Sequence, residues 1–150
     1  MARNYAKGTF KPTNPAKYVG TKTIQYRSSW EFQFMKFCDE NPNVKQWASE
    51  AIRIPYKNPI TGKHTVYVPD FFIEYYDRNG KSHVELIEIK PENQSFKESV
   101  GRNKLNQAAW AVNQAKWEVA RAWCKQKGIV FRVVTERDIF AGTKGAGKKR

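Results

Sequence analysis

The chain has 150 residues and a mass of 17.4 kDa, the size of one ordinary domain, and buries about 70% of its unfolded surface without needing disulfides or a structural metal. Its 40% hydrophobic and 14% aromatic content excludes a disordered polymer, and no apolar run approaches the ~18 residues of a transmembrane helix. With 27 Lys+Arg against 14 Asp+Glu, the net charge is +13 and the isoelectric point near 9.8, an excess that must meet a polyanion, of which nucleic acid is the commonest in a cell.

The start Met-Ala-Arg-Asn-Tyr-Ala-Lys lacks the apolar core of a secretory signal, so a soluble intracellular protein is the expectation. Two cysteines, Cys38 and Cys124, each lie within a helical pattern and read as reduced core residues. Together with His64 and His83 they are too few soft ligands for a zinc site.

Taken in chain order, residues 1–27 form a basic N-terminal arm. It holds Arg3, Lys7, Lys11, Lys17, Lys22 and Arg27 with no acid, and Tyr5, Phe10 and Tyr18 between them. Those aromatics either stack on bases or pack the arm onto the domain. Ser28-Ser-Trp-Glu31 has the form of a capping box, and Trp30, Phe34, Phe37 and Cys38 follow at helical spacing until Asn41-Pro42 stops the helix. Val44 to Tyr56 reads as extended. Val66 to Tyr76 reads as one long strand and Val84 to Lys90 as another, joined by a turn around Arg78-Asn79-Gly80. Residues 97–127 are helix-rich, chiefly from Lys104, with Leu105, Ala108, Ala109, Val112, Ala115 and Val119 on one face and Gly128 as the stop. Ile129 to Val134 reads as a central strand, and Thr135-x-x-Asp138 as the start of a last short helix.

Residues 141–150 are a basic tail with Lys144, Lys148, Lys149 and Arg150. The tail resembles a phosphate-binding loop only superficially, because Lys149 stands where Ser or Thr should hold magnesium. The two flanks carry ten of the thirteen net charges, leaving a nearly neutral domain over 28–140. The order of elements is that of a mixed α/β domain with its sheet covered by helices.

Three charges stand out in the hairpin. Alternation along Val84-Glu85-Leu86-Ile87-Glu88-Ile89-Lys90 places Glu88 and Lys90 on one face of a strand that is apolar on both sides, where charge is costly. Asp70 interrupts the preceding strand in the same way. If the hairpin closes symmetrically about Asn79, Asp70 lies directly opposite Glu88, with side-chain roots about 5 Å apart, and Lys90 one step along the same face. A two-residue Asn79-Gly80 turn would shift the register and separate the carboxylates. Two carboxylates held this close repel unless a cation or a proton lies between them. Magnesium or manganese suits such hard oxygen donors, and could activate water and neutralise charge on a phosphodiester. Lys90 would then orient the water or stabilise developing negative charge. The same three residues also read as a buried ion network with no metal.

Pro69-Asp70, seventeen residues, then Glu88-Ile89-Lys90 is similar to the signature of PD-(D/E)XK nucleases. Arg27-Ser-Ser-Trp-Glu31, Trp47-Ala-Ser-Glu50, Ile54-Pro-Tyr56, Tyr67-Val-Pro-Asp-Phe71, Ile87-Glu-Ile-Lys90 and Phe131-to-Ile139 together resemble the head completion nucleases of T4-like tailed phages and, more distantly, TnsA-type transposon endonucleases. The resemblance implies a restriction-endonuclease-like mixed sheet flanked by helices. It implies a metal-dependent DNA endonuclease acting in phage head completion after packaging, in the host cytoplasm, with retention in the virion and docking on portal or neck proteins both open. Asp70, Glu88 and the Ile89 carbonyl would hold magnesium, with manganese as substitute. Lys90 would be the catalytic cation and Glu31 an auxiliary acid.

Glu31 equally suits its capping box, and Glu50 suits either a metal-proximal acid or a rim salt bridge. Gln107 resembles a glutamine of related nucleases, although Ala111 stands where their tyrosine belongs. Lys7, Lys11, Lys17, Lys22, Arg27, Lys104, Lys148, Lys149 and Arg150 are the expected contacts to the DNA backbone, which position without specifying sequence. Cutting both strands would need two sites, hence a homodimer or two sequential nicks. The alternatives from other classes are a non-catalytic DNA-binding structural protein of the phage head or neck and an RNA-binding module. Both explain the charge and leave the three costly hairpin charges idle.

Overall fold

The computed structural model describes residues 7–90 and 104–135. At their centre lies a four-stranded mixed sheet built from β3 (Val44–Ser49), β6 (Phe71–Tyr76), β7 (Ser82–Ile89) and β8 (Val130–Val134), hydrogen-bonded in the order β3-β6-β7-β8. The first two pairings are antiparallel and the last is parallel. On one face lies α1 (Ser29–Glu40); on the other lie the hairpin of β4 (Ile54–Lys57) with β5 (His64–Tyr67) and the long helix α2 (Lys104–Lys127). Each face has its own core: Phe34, Met35, Cys38, Trp47, Phe71, Ile73 and Ile87 under α1, and Ile54, Tyr67, Leu86, Trp117, Ala120 and Cys124 under α2. This is the restriction-endonuclease-like mixed sheet flanked by helices that the resemblance implied. Both cysteines are free and buried.

The hairpin closes about Asn79, as the symmetric reading required. Tyr76 pairs with Ser82 and the register runs unbroken to Phe71 opposite Ile87. The turn is tied by Gly80 N–H to the Asp77 carbonyl and by the Asp77 carboxylate, which accepts from Asn79 and Lys81 N–H, while Gly80 takes the positive φ of 79° that a side chain would resist.

Several sequence expectations are corrected. The extended run from Val44 to Tyr56 is two strands, broken where Glu50 adopts a left-handed φ of 51°. The strand expected over Val66 to Tyr76 is also two, because Pro69 has no N–H for a ladder and turns the chain between β5 and β6. β8 is an edge rather than a central strand among the described residues; its apolar run is covered on the α2 side, while Val130 is exposed on the other. The inward stripe of α2 is Asn113, Trp117, Ala120 and Cys124, flanked by Val112, Ala115, Val119 and Trp123, and Leu105, expected on the buried face, is 81% exposed. The helix pattern at 97–103 and the Thr135-x-x-Asp138 start extend outside the described residues.

The N-terminal segment packs onto the domain. β1 (Gly8–Thr9) pairs with β2 (Gln25–Tyr26), and Phe10 and Ile24 enter the α1-side core. The anchor is Asp39, 1% exposed, which accepts hydrogen bonds from Thr13 N–H at 2.8 Å and Asn14 N–H at 2.9 Å. An acid in the last turn opposes the helix dipole, and α1 has no basic residue there. Lys17 supplies the missing cation, its Nζ donating to the Asp39 and Asn41 carbonyls at 3.0 and 2.8 Å. Among the described residues, no helix is long and apolar enough to cross a membrane.

Candidate active site

Asp70 lies in the short link between β5 and β6, immediately before the first paired residue of β6, so the register carries it opposite Glu88. Its Oδ2 accepts from Ile89 N–H at 2.8 Å, which fixes the carboxylate at the end of β7, and its carbonyl accepts from Glu50 N–H. Glu88 is 7% exposed and points to the α2 side with Leu86, as alternation required. Burial above all, and then the charge of Glu88, push the Asp70 carboxyl well above the usual carboxylate range, against the pull of the Ile89 N–H. Burial likewise raises Glu88, opposed by the Tyr67 hydroxyl, Lys90 and Lys116.

Lys90 follows β7 and brings its Nζ to 3.8 Å from Glu88 Oε2. Their attraction is about 4 kcal/mol at an effective dielectric near 20. Desolvation costs several kcal/mol for each buried ion, so one ammonium does not balance two carboxylates. Among the described residues Asp70 Oδ1 receives no hydrogen bond, and no group of three His, Cys, Asp or Glu side chains gathers to hold an ion. The donor set therefore fits a hard divalent cation only as a carboxylate pair completed by backbone oxygen and water, the pattern typical of magnesium.

Glu31 fulfils its local role. Ser28 Oγ accepts from Glu31 N–H at 3.1 Å, and Glu31 Oε1 accepts from Arg27 N–H at 3.0 Å. It also stands close enough to Asp70 to raise that carboxyl, so the cap holds it beside the pair. Its own carboxyl is raised chiefly by burial. Glu50 forms the rim salt bridge, with Arg27, and its left-handed backbone sits where the Asp70 carbonyl is held. Arg27, expected on the DNA backbone, therefore has its guanidinium engaged by Glu50.

Of the other expected backbone contacts, Lys17 has its ammonium engaged at the end of α1. Lys7, Lys11, Lys22 and Lys104 are exposed. Lys7 and Arg27 share a surface cavity of about 380 Å³ with Gly8, Thr9, Gln25 and Tyr26. Lys148, Lys149 and Arg150 lie outside the described residues. Gln107 is exposed, and so is His64, while His83 pairs with Asp77 at 2.7 Å and stacks on Tyr75.

Two site residues escaped the sequence reading. The Tyr67 hydroxyl donates to Glu88 Oε1 at 2.7 Å, and burial and Glu88 raise its phenol so far that it stays a donor. Lys116 of α2 brings its Nζ to 5.7 Å from the centre of the Tyr67 ring. A signal for Lys116 was available: it falls three residues after Asn113 and four before Ala120, a lysine bordering an inward stripe.

A mixed sheet between helices, with Asp70 and Glu88 opposed at its hairpin and Lys90 two residues further on, has the restriction-endonuclease-like architecture. Residues 41–136 match the N-terminal domain of TnsA-like endonucleases. The chain is 36% identical over 150 aligned positions to the head completion nuclease of Enterobacteria phage T4, covering 93% of this chain and 97% of that one. The chain belongs to the TnsA-like endonuclease family.

Proposed function

We propose that the protein is a magnesium-dependent endodeoxyribonuclease of the PD-(D/E)XK type, with manganese as a substitute. The single observation that carries this reading is the opposition of Asp70 and Glu88 across the hairpin, with Lys90 beside them. The carboxylates and the Ile89 carbonyl would hold the cation, which when bound supplies charge neutralisation and a more acidic water. Ile89 N–H occupies Asp70 Oδ2 and Tyr67 O–H occupies Glu88 Oε1, so the cation would take Asp70 Oδ1 and compete with Lys90 for Glu88 Oε2. Lys90 meets negative charge that develops on the phosphate, and Glu31 acts as an auxiliary acid at the edge of the pair. The net charge of +13 supports DNA as the polyanion, gripped through its phosphates by the lysines of the flanks.

The name of the T4 relative supports a place in head completion. Action would then fall in the host cytoplasm during virion assembly, with portal or neck proteins as neighbours. A homodimer would bring two sites to the two strands.

The test incubates purified protein with linear, branched and single-stranded DNA in magnesium, manganese or chelator, beside Asp70→Ala. Metal-dependent cleavage that the variant loses is the expected result, and it ranks the substrates at the same time. DNA binding without cleavage by either protein would instead indicate the structural role, and equal cleavage by both would put the site elsewhere.

A further inference from the structure

The long helix brings a second lysine to the carboxylate pair. Lys116 borders the stripe that packs α2 onto the sheet, so its stem is half-buried and its ammonium is carried over the ring of Tyr67, the same residue whose hydroxyl holds Glu88. It lies close enough to Lys90, Glu88 and Asp70 for all three to act on its charge. Burial and the repulsion of Lys90 both hold this ammonium below the usual lysine range, against the weaker pull of Glu88 and Asp70. Among the described residues no acid lies within ion-pair distance of Lys116, whereas Lys90 is paired with Glu88.

A partly desolvated cation that feels the charge of a second lysine and has no acid within ion-pair distance among the described residues is costly for the free protein. The cost is offset when an anion enters between the two lysines. We propose that Lys116 is a phosphate-binding residue of the active site, the second member of a two-lysine clamp with Lys90 on the non-bridging oxygens of the scissile phosphodiester. This rests on the nuclease reading for the identity of the anion. A phosphodiester carries one negative charge in its ground state and gains another as the attacking water adds and gives up its proton to solvent. Two ammonium groups therefore match the transition state better than the substrate, and removal of one should slow cleavage more than it weakens binding.

The test compares the full chain with Lys116→Met, Lys116→Arg and, as a control on the exposed last turn of α2, Lys125→Met. Methionine keeps the stem over Tyr67 and removes only the charge, and a thermal melt verifies folding. Two quantities are read: the salt dependence of DNA affinity in chelator, and the single-turnover cleavage rate in magnesium. Lys116→Met should lower the rate by about 100-fold or more and reduce the logarithmic salt slope by about 1. Lys116→Arg should keep the slope and part of the rate, and Lys125→Met should keep the rate.

A Lys116→Met protein that cleaves within about twofold of the parent overturns the proposal, as does one that keeps the parent's salt slope. If the parent itself fails to cleave with any metal, the nuclease reading falls. In that case a loss of slope in Lys116→Met but not Lys125→Met still supports an anion site at Lys116, and an unchanged slope overturns it.

Discussion

Glu31 serves two neighbours at once, and a single substitution separates them. Glutamine completes a capping box as well as glutamate does, so Glu31→Gln keeps the acceptor for Arg27 N–H and the Ser28 cap while removing the charge. Burial raises the carboxyl in the folded protein, so the native state binds its proton more tightly than the unfolded chain. The associated stability is fully present below the unfolded value of about 4.3 and is lost as pH rises through the raised folded value. Urea unfolding should therefore show parent and variant alike near pH 4, with Glu31→Gln pulling ahead toward pH 7; a difference that does not change with pH would show that burial of the charge costs nothing. If Glu31 also assists catalysis, the same variant should lose about 10–100-fold in cleavage rate without losing its fold. Asp70, Glu88 and Lys90 were legible, because each is a charge that interrupts an apolar run. Tyr67 was not, since a tyrosine in a strand breaks no local rule, and Lys116 left only the faint signal of a lysine bordering the inward stripe of α2.

At the scale of elements, Asp39 shows how a residue unfavourable to its own helix becomes the anchor of another segment. Asp39→Ala would orphan the N–H groups of Thr13 and Asn14 and release Lys17 from its carboxylate neighbour. We expect a loss of about 3 kcal/mol in equilibrium unfolding and protease cleavage within residues 10–24 before the sheet unfolds. Cleavage confined to the rest of the domain would show that the segment is held by Phe10 and Ile24 alone. Element boundaries were read less well than element types. Alternation alone does not show that Pro69 ends one ladder and starts another, or that Glu50 turns left-handed, because apolar residues continue on both sides of each bend. Nor can an apolar run tell an edge strand from a central one. Among the described residues β8 ends the sheet, and its Val130 is exposed.

For the whole molecule, the charge and the site make separate demands that the fold resolves together. If six to ten phosphates are engaged, DNA affinity should fall by about 10³–10⁵ between 50 and 200 mM salt, measured in chelator so that cleavage does not intervene. A flat response would remove the basis for reading the flanks as a backbone grip. The carboxylate pair, by contrast, burdens the free protein, since the β6–β7 hairpin must keep Asp70 and Glu88 opposed with one ammonium 3.8 Å from Glu88 to offset them. Asp70→Asn keeps an acceptor for Ile89 N–H and removes one of the opposed charges, so in chelator it should melt higher than the parent. A divalent cation reverses this order. At a hundredfold excess over its dissociation constant it adds about 2.7 kcal/mol to a protein that binds it only when folded, or about 5–10 °C in a domain of this size. The parent should gain that increment from magnesium, and Asp70→Asn, with one anionic donor fewer, should gain little. Melting curves for both proteins, with magnesium and with chelator, therefore test the site without any substrate. Equal gains in the two proteins would place the cation elsewhere, and a chelated Asp70→Asn less stable than the parent would mean that the buried pair is balanced by the protein alone.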